Sequence, residues 1–268
     1  MENLNILLSQ IPVINYHKIE KNHDIGITTR TPKQFADDMR FLYEHNYHTI
    51  TFKSLLDGKK LPENPLIITF DDAYQSFYKS AYPLLKKLNF SAVIYVPLDY
   101  LGRWNDWDVQ YYNKRYMHIS KDELLEIHNG GMEIGSHTLS HRMLTALDKN
   151  EAEKEIKGSK ERLENLLSDD IVSISYPFSR FNQDILELTE KAGYSFGVAS
   201  LYTRKIREKY QPLSIKRFNI YRIDGRRGFR KKVEKKKVHF LTFRDWLIQK
   251  GGRATNIHQL ITGKGKIT

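Results

Sequence analysis

The sequence predicts an α/β fold whose parallel sheet is either covered by helices on both faces or closed into a barrel. Short, nearly continuous apolar segments rich in β-branched residues alternate along the chain with stretches of helical periodicity. Strands that are buried on both faces have this composition, and the helices between them make the crossover connections of a parallel sheet. A length of 268 residues and a hydrophobic fraction of 40% allow one large core, which suits a single α/β domain.

The predicted elements follow the order strand, helix, strand, helix through residue 199. Strands are predicted at residues 12–16, 47–51, 66–70, 91–96, 132–136, 171–176 and 195–199. Helices are predicted at residues 31–45, 52–56, 73–88, 121–129, 148–167 and 183–192, and the fifth of them begins at a capping box of Asp148 and Glu151. The alternation is lost after residue 222, so we predict a catalytic domain at residues 1–224 and a basic C-terminal extension at residues 225–268.

Composition restricts the chemistry and the location. The chain has no cysteine, so a transition-metal site would need His and carboxylate ligands. The first apolar stretch is interrupted by polar residues and Pro12 and is not typical of a signal peptide. No stretch approaches the roughly 20 apolar residues that cross a bilayer. These features predict a cytoplasmic or membrane-peripheral protein, or an extracytoplasmic one if the chain is trimmed from a longer precursor.

The net charge of +11 is concentrated near the C-terminus. Residues 225–237 carry eight basic residues and one acidic residue. Such a run is typical of a solvated surface or of a surface that binds an anionic partner, such as an anionic membrane or an acidic glycan. Nucleic acid is not an expected partner, because no zinc-finger, helix-turn-helix or RNA-binding signature accompanies the charge.

Polar residues stand directly after three of the predicted strands. Asp71 and Asp72 follow the third strand, and His17 follows the first. His137 follows the fifth strand, and His141 comes four residues later. Because the carboxyl ends of parallel strands meet on one face of an α/β fold, we expect these side chains to converge there.

These residue types suit hydrolysis at a metal centre. Adjacent carboxylates at a strand end point in different directions, so one can bind a metal while the other accepts a proton. His137 and His141 with Asp72 make a set of two imidazoles and one carboxylate that leaves positions open for water and substrate. Each motif alone also has a structural interpretation, since His pairs often pack on surfaces and paired Asp residues often cap helices. Zn²⁺ suits the ligands best, although Co²⁺, Ni²⁺ or Fe²⁺ could use the same ones.

Three segments in this order resemble the motifs of the polysaccharide deacetylase family, also called the NodB-homology domain or carbohydrate esterase family 4. They are TFDDA at residues 69–73, SHTLSH at 136–141 and SYPFSRFN at 175–182. The resemblance runs from about residue 12 to residue 219. NYHKI at residues 15–19 and KRFNI at 216–220 are similar to the subgroup that deacetylates poly-N-acetylglucosamine.

The resemblance implies a distorted (β/α) barrel of about seven strands. It also implies a hydrolase that removes acetyl groups from the N-acetylated sugars of a polysaccharide or glycan. By the family pattern, Asp72, His137 and His141 hold a divalent metal, and Asp71 is the general base that activates the attacking water.

The third motif is expected to contact the substrate. Tyr176, Phe178 and Arg180 are the candidate residues, with the backbone N–H of Phe178 donating to the developing oxyanion. Family members often carry Arg at the position of Ser175, where it orients the base. Here Arg180 or Arg217 is the candidate replacement, and Arg217 is also a candidate for substrate binding.

Other positions depart from the family pattern. Glycines that are customary in the first and third motifs are replaced by Ala73 and Ser179. The late Leu-x-His motif that commonly supplies the proton to the leaving amine has no clean copy. His17 is therefore the preferred proton donor or a neighbour that supports the site, with a packed, hydrogen-bonded His as the alternative.

The segment at residues 101–117 is dense in Trp, Tyr, Asn and Arg. Trp104 and Trp107 are predicted to stack on sugar rings, or otherwise to pack their rings on the barrel rim. Two other functions stay open: a deacylase that acts on a small or lipid-linked sugar, and a catalytically silent carbohydrate-binding member of the fold.

Overall fold

The computed structural model describes residues 7–21, 28–58, 60–106, 115–200, 210–235 and 244–245, and a closed barrel of parallel strands lies at its centre. The strands are β1 (Val13–Tyr16), β2 (Lys18–Ile19), β3 (Thr29–Arg30), β4 (His48–Thr49), β5 (Pro65–Phe70), β6 (Val93–Val96), β7 (Glu133–Ser136), β8 (Ser173–Ser175), β9 (Phe196–Ser200) and β10 (Ile215–Asn219). All seven strands predicted from the sequence are present.

The barrel runs in the order β1-β10-β9-β8-β7-β6-β5, and β5 pairs with β1 to close it. All of these pairings are parallel. β4 extends the sheet beside β5, and β2 pairs with β3 outside the barrel. The predicted barrel of about seven strands is confirmed. β10, whose place the sequence left undecided, inserts between β9 and β1.

Seven α-helices have both ends within the described part of the chain, and residues 7–10 are also helical. The seven are α1 (Pro32–Glu44), α2 (Phe52–Leu56), α3 (Tyr82–Lys87), α4 (Lys121–Asn129), α5 (Lys149–Leu167), α6 (Gln183–Lys191) and α7 (Arg226–Val233). The side chain of Asp148 accepts a hydrogen bond from the backbone N–H of Glu151, which confirms the predicted start of α5.

The single helix predicted at residues 73–88 begins two residues too early and is irregular in its first half, since helical backbone starts at residue 75. The chain passes through left-handed backbone at Asp72 and Ala73, and a π-helical segment, Phe77–Ala81, precedes α3. Pro83 lies in the first turn of α3. Because proline has no N–H and its ring clashes with the carbonyl four residues earlier, a regular α-helix cannot run through this position.

Alternation along the strands decides what fills the barrel. One apolar cluster contains alternate strand residues, among them Val13, Ile67, Val93, Val198 and Ile215. The residues between them belong to a larger cluster that packs against the helices. Since successive side chains of a strand point to opposite faces, the first cluster lies inside the barrel.

The interior becomes polar toward the carboxyl ends of the strands. Asn15, Thr69 and Arg217 each lie two residues beyond an apolar interior residue, on β1, β5 and β10, and all three are buried. Buried polar side chains require hydrogen-bond partners, so they are expected to bind one another or a functional group. In α/β barrels the functional site forms at this end.

Helix α7 contains the first part of the basic segment. Its exposed basic residues are Arg226, Arg227, Arg230 and Lys231. Lys232 instead is buried, and its Nζ donates to the backbone oxygen of Asn219 at 2.6 Å and to the carboxylates of Asp224 and Asp245 at 2.8 Å. Residues 236–243 and 246–268 lie outside the described residues, so the domain boundary at residue 224 stays a prediction. Within the described ranges, every helix is too short or too polar to span a bilayer.

Candidate active site

Asp71 follows β5 and lies at the polar end of the barrel. It is 5% exposed, and its Oδ2 accepts hydrogen bonds from Arg217 and, at 3.1 Å, from Asn15. Its Oδ1 is buried, and no residue in the described ranges forms a hydrogen bond with it. One oxygen of this carboxylate is therefore fixed in place, while the other is able to accept a proton.

Arg217 reaches Asp71 from β10. Its guanidinium also donates to Asn15 Oδ1 at 3.0 Å and to Ser175 Oγ at 2.7 Å. Ser175 occupies the position where the family often carries Arg. In this protein a serine stands there, and the arginine beside Asp71 comes from another strand, β10. Arg180 is exposed. The structure thus places Arg217 beside the base, and its burial corrects the expectation that it contacts the substrate.

Arg217 is the strongest of the neighbours that favour ionised Asp71. Burial raises the pKa of this carboxyl, but Arg217, His137 and His17 together outweigh burial and hold the pKa below its usual value. Asn15 strengthens the arrangement because its amide is oriented by a second hydrogen bond, to Asn219 Oδ1 at 2.9 Å. Asp71 is therefore an ionised, oriented carboxylate at neutral pH, as a general base must be.

Asp72, His137 and His141 form a second buried group. The Nε2 atoms of both imidazoles lie 3.4 Å from Oδ1 of Asp72, and one possible ligand atom from each residue lies within 4.8 Å of the others. Nδ1 of His137 donates to the backbone oxygen of Ser175 at 2.6 Å, which directs the Nε2 lone pair toward the group. Three nitrogen and oxygen donors, with no fourth protein ligand in the ranges that the structure describes, fit a catalytic divalent metal better than a structural one.

The pKa values of Asp72 and His141 suit metal binding, whereas that of His137 is raised, because Asp71 and Asp72 outweigh the effect of its burial, so a metal would have to displace a proton there. Burial raises the pKa of Asp72, but a hydrogen bond to His137 and the neighbouring imidazoles together outweigh burial and lower the pKa below its usual value. Burial lowers the pKa of His141 to about 3, so its imidazole is neutral at pH 7. An ionised carboxylate and a neutral imidazole are the forms that bind metals.

Left-handed backbone at non-glycine residues surrounds the group. The φ angle is 68° at Asp72, 67° at Thr138 and 56° at His141. Glu155 of α5 holds the loop that carries the two His residues, because its Oε2 accepts from the N–H groups of residues 139 and 140 at 3.0 and 2.9 Å. Such conformations cost about 1–3 kcal/mol each and concentrate at functional sites.

His17 lies on the same side of the barrel. Its Nε2 is 3.9 Å from Oδ2 of Asp71, and its side chain is 21% exposed, whereas Asp72 and the two other imidazoles are almost fully covered. Burial lowers the pKa of His17. The structure brings His17 to the site, and its role as proton donor stays a prediction.

The third motif is divided between the site and the core. The ring of Phe178 lies 4.9 Å from the ring of His141, and the φ of 57° at Phe178 turns the chain sharply beside this imidazole. Tyr176 is buried, its hydroxyl donates to the backbone oxygen of Leu213, and its N–H donates to that of Val198. Because both donors of Tyr176 are occupied, its predicted substrate contact is corrected to a packing role.

Of the two tryptophans predicted to stack on sugar rings, the structure describes Trp104 and not Trp107. Trp104 is 52% exposed and forms an isolated antiparallel bridge with Met117, close to the first motif. Its exposed ring is compatible with stacking on a sugar. Trp107 lies in the segment 107–114, outside the described residues, so its role stays a prediction.

Sequence reasoning missed three polar residues of the site. Asn15 could have been found by period-two alternation from Val13, but a polar residue at the end of a strand carries no other signal. The same holds for Asn219, which lies two residues after Arg217 at the end of β10. His118 donates from Nδ1 to the backbone oxygen of Asp72 at 2.6 Å. It lies in an irregular segment where no periodicity singles it out.

Comparisons with known proteins identify the family of this chain. The family model described as polysaccharide deacetylase matches residues 58–197. The chain is 32% identical over 197 residues to YxkH of Bacillus subtilis (strain 168), whose name places it among polysaccharide deacetylases; the match covers 72% of this chain and 65% of YxkH. The chain thus spans slightly less than two thirds of that relative.

Two further relatives extend the comparison. The chain is 26% identical over 209 residues to a poly-beta-1,6-N-acetyl-D-glucosamine N-deacetylase of Staphylococcus aureus (strain MRSA252), over 69% of this chain and 70% of the relative. The crystal structure of BC0361, a polysaccharide deacetylase from Bacillus cereus, superposes with a TM-score of 0.70 and 27% identity, and the match covers 83% of this chain and 68% of that one.

The fold and the site define a metal-dependent class of hydrolases built on a parallel barrel. The chain belongs to the polysaccharide deacetylase family, whose members hydrolyse the amide bonds of N-acetylated sugars. The predicted family is confirmed.

Proposed function

We propose that this protein is a metal-dependent N-deacetylase of a glycan that contains N-acetylglucosamine. The observation that carries the proposal is the position of Asp71, an ionised carboxylate with one oxygen unpaired among the described residues, next to the buried group of Asp72, His137 and His141. A base and a ligand set at one strand end are the two parts that hydrolysis of an acetamide requires.

The chemistry divides between these two parts. A divalent metal bound by Asp72 and the two imidazoles would polarise the acetyl carbonyl and acidify water, and Zn²⁺ suits the donors best. Asp71 accepts the proton of the attacking water on Oδ1, while Arg217 holds Oδ2. The water oxygen bonds to the acetyl carbon, the amide nitrogen takes a proton, for which His17 is the proposed donor, and the C–N bond breaks to give a free amine and acetic acid, which ionises to acetate.

Several observations support a polymeric substrate. The Staphylococcus aureus relative is named for poly-beta-1,6-N-acetyl-D-glucosamine, and the exposed ring of Trp104 offers a face for a sugar. The exposed basic residues of α7 support an anionic membrane surface as a neighbour, although buried Lys232 is not available for it. Location in the cell stays a prediction.

Acetate release tests the proposed function. We expect the zinc-loaded protein to release acetate from β-1,6-linked N-acetylglucosamine oligomers and to lose this activity with chelator, because the ligand set needs its metal. Re-addition of zinc, cobalt or nickel should restore release. Monomeric and lipid-linked N-acetylglucosamine are the comparison substrates. Faster acetate release from either of them would replace the polymer as the proposed substrate. Metal binding without release from any of the three would favour the silent carbohydrate-binding alternative.

His17→Ala tests the proton donor. Because the imidazole lies 3.9 Å from Asp71 and is partly exposed, we expect turnover to fall by about 10²–10⁴-fold with metal affinity unchanged. His45→Ala, an exposed His on the helix side of the barrel, is the control. Turnover of His17→Ala within a few-fold of wild type would assign the proton transfer to another group.

A further inference from the structure

Residues 117–119 run antiparallel to residues 73–75, at the end of the first motif, and form backbone hydrogen bonds with them. The N–H of Ile119 donates to the oxygen of Ala73 at 2.9 Å, and the N–H of Gln75 donates to the oxygen of Met117 at 2.8 Å. Tyr74 and His118 face each other in this antiparallel bridge. The segment therefore brackets the turn that carries Asp72.

The turn at Asp72 and Ala73 has an unfavourable backbone conformation that other contacts must stabilise. The φ angles of Asp72 and Ala73 are 68° and 47°, and neither residue is glycine. Left-handed backbone is unfavourable for residues with a Cβ, by about 1–2 kcal/mol each. Such a conformation persists only where surrounding contacts determine it. The direction of the Asp72 carboxylate toward His137 and His141 depends on this conformation.

His118 makes the contact nearest to the carboxylate. Its Nδ1 lies 2.6 Å from the backbone oxygen of Asp72, and because a carbonyl can only accept, Nδ1 carries the hydrogen. The ring is 1% exposed and stacks on Tyr74, with centroids 4.9 Å apart. Tyr100 lies on another side, at 5.4 Å. No hydrogen-bond partner for Nε2 occurs among the described residues, so within these ranges the imidazole forms one hydrogen bond, to Asp72.

We propose that His118 is a positioning residue of the metal site: its Nδ1–H fixes the left-handed backbone of Asp72 and so aims the carboxylate between His137 and His141. The inference rests on the proposed function, since it concerns the affinity of the same site for a metal. His118 touches no ligand atom of the group; it acts through the peptide of Asp72. Partners of this kind typically change metal affinity by about 10–100-fold when they are removed.

Zinc affinity of matched variants tests the inference. The amide nitrogen of His118→Asn lies near the place of Nδ1 and can keep the bond to Asp72, whereas that of His118→Gln lies nearer to Nε2. His118→Phe keeps the ring contacts with Tyr74 and Tyr100 and removes the donor. By competition titration with a zinc chelator, we expect affinity to fall about 10–100-fold in His118→Phe and His118→Gln, and only a few-fold in His118→Asn.

The outcomes separate the two proposals. Wild-type zinc affinity in His118→Phe would overturn the positioning role and leave the proposed function intact. Equal losses in His118→Asn and His118→Phe would also overturn it, because the variant that can keep the hydrogen bond to Asp72 would then bind zinc no better than the one that lacks the donor. A wild-type protein that binds neither zinc, cobalt nor nickel would overturn both proposals together. Melting temperatures of the metal-free variants show whether each one is folded.

Discussion

Replacing Asp71 with Asn will lower the turnover of the zinc-loaded protein on N-acetylglucosamine oligomers by about 10²–10⁴-fold while zinc affinity stays close to wild type. An amide oxygen can still accept the hydrogen bond from Arg217, but the buried guanidinium loses its charge partner, so we expect Asp71→Asn to be less stable and a melting curve to show that it is folded under the assay conditions. The amide oxygen cannot take a proton from water, because an amide is not basic near neutral pH. Acetate release under saturating substrate and a zinc titration are the two measurements.

The control for this prediction is Asp57→Asn. Asp57 is exposed and follows α2, away from the catalytic end of the barrel, so its substitution should leave both measurements unchanged. If Asp71→Asn kept wild-type turnover while chelation abolished it, the metal site would be confirmed and the assignment of the base to Asp71 would be wrong.

Replacing Arg217 with Met will destabilise the protein by about 3–5 kcal/mol, since removal of one partner from a buried ion pair leaves the other charge uncompensated. Met keeps most of the side-chain volume, so the loss reports the charge more than the packing. Arg217 and Asp71 are both almost fully buried, so solvent screens the pair weakly. The free energy of unfolding from urea titration at pH 7 measures the effect.

The matched control is Arg180→Met, an exposed arginine near the same end of the barrel. Surface substitutions usually change stability by no more than about 0.5 kcal/mol. A similar small effect for Arg217→Met would show that the pair contributes little and that the interior tolerates an isolated carboxylate.

The same variant should change the pH dependence of catalysis. Arg217 lowers the pKa of Asp71, so the stabilisation from ionised Asp71 is present above its unfolded pKa of about 3.9 and is lost as the pH falls through the lower folded value. Without Arg217, burial dominates and the pKa rises. The acidic limb of kcat/KM should therefore move to higher pH in Arg217→Met, and an unmoved limb would separate Arg217 from the ionisation of the base.

The sequence predicted which residues form the site better than it predicted the hydrogen bonds and ion pairs among them. Asp71, Asp72, His137 and His141 could be found because they follow apolar strands whose carboxyl ends converge. The choice between Arg180 and Arg217 depended on which strand lies next to β1, and hydrophobic patterning carries no information on strand order. Exposure and distance settle it in favour of Arg217.

Backbone conformation was the other limit. Ala73 and Ser179 stand where the family usually has glycine, and both adopt left-handed φ, at 47° and 53°. Propensity predicts helix for Ala73, and for that reason the predicted helix began too early. Tertiary contacts from residues 117–119 hold the turn, and no local signal in the sequence reveals them.

Closure of the barrel by β10 has a consequence for how the protein is made. Asp71 and Arg217 are 146 residues apart, and β1 finds both of its barrel neighbours, β5 and β10, far along the chain. During synthesis from the N-terminus, β1 can pair with β5 long before β10 leaves the ribosome. Until β10 is synthesised, Asp71 therefore has no arginine partner, and its carboxylate lies uncompensated in an open sheet. The catalytic arrangement can thus form only after β10 has been synthesised and has closed the barrel, so the partly made barrel is inactive.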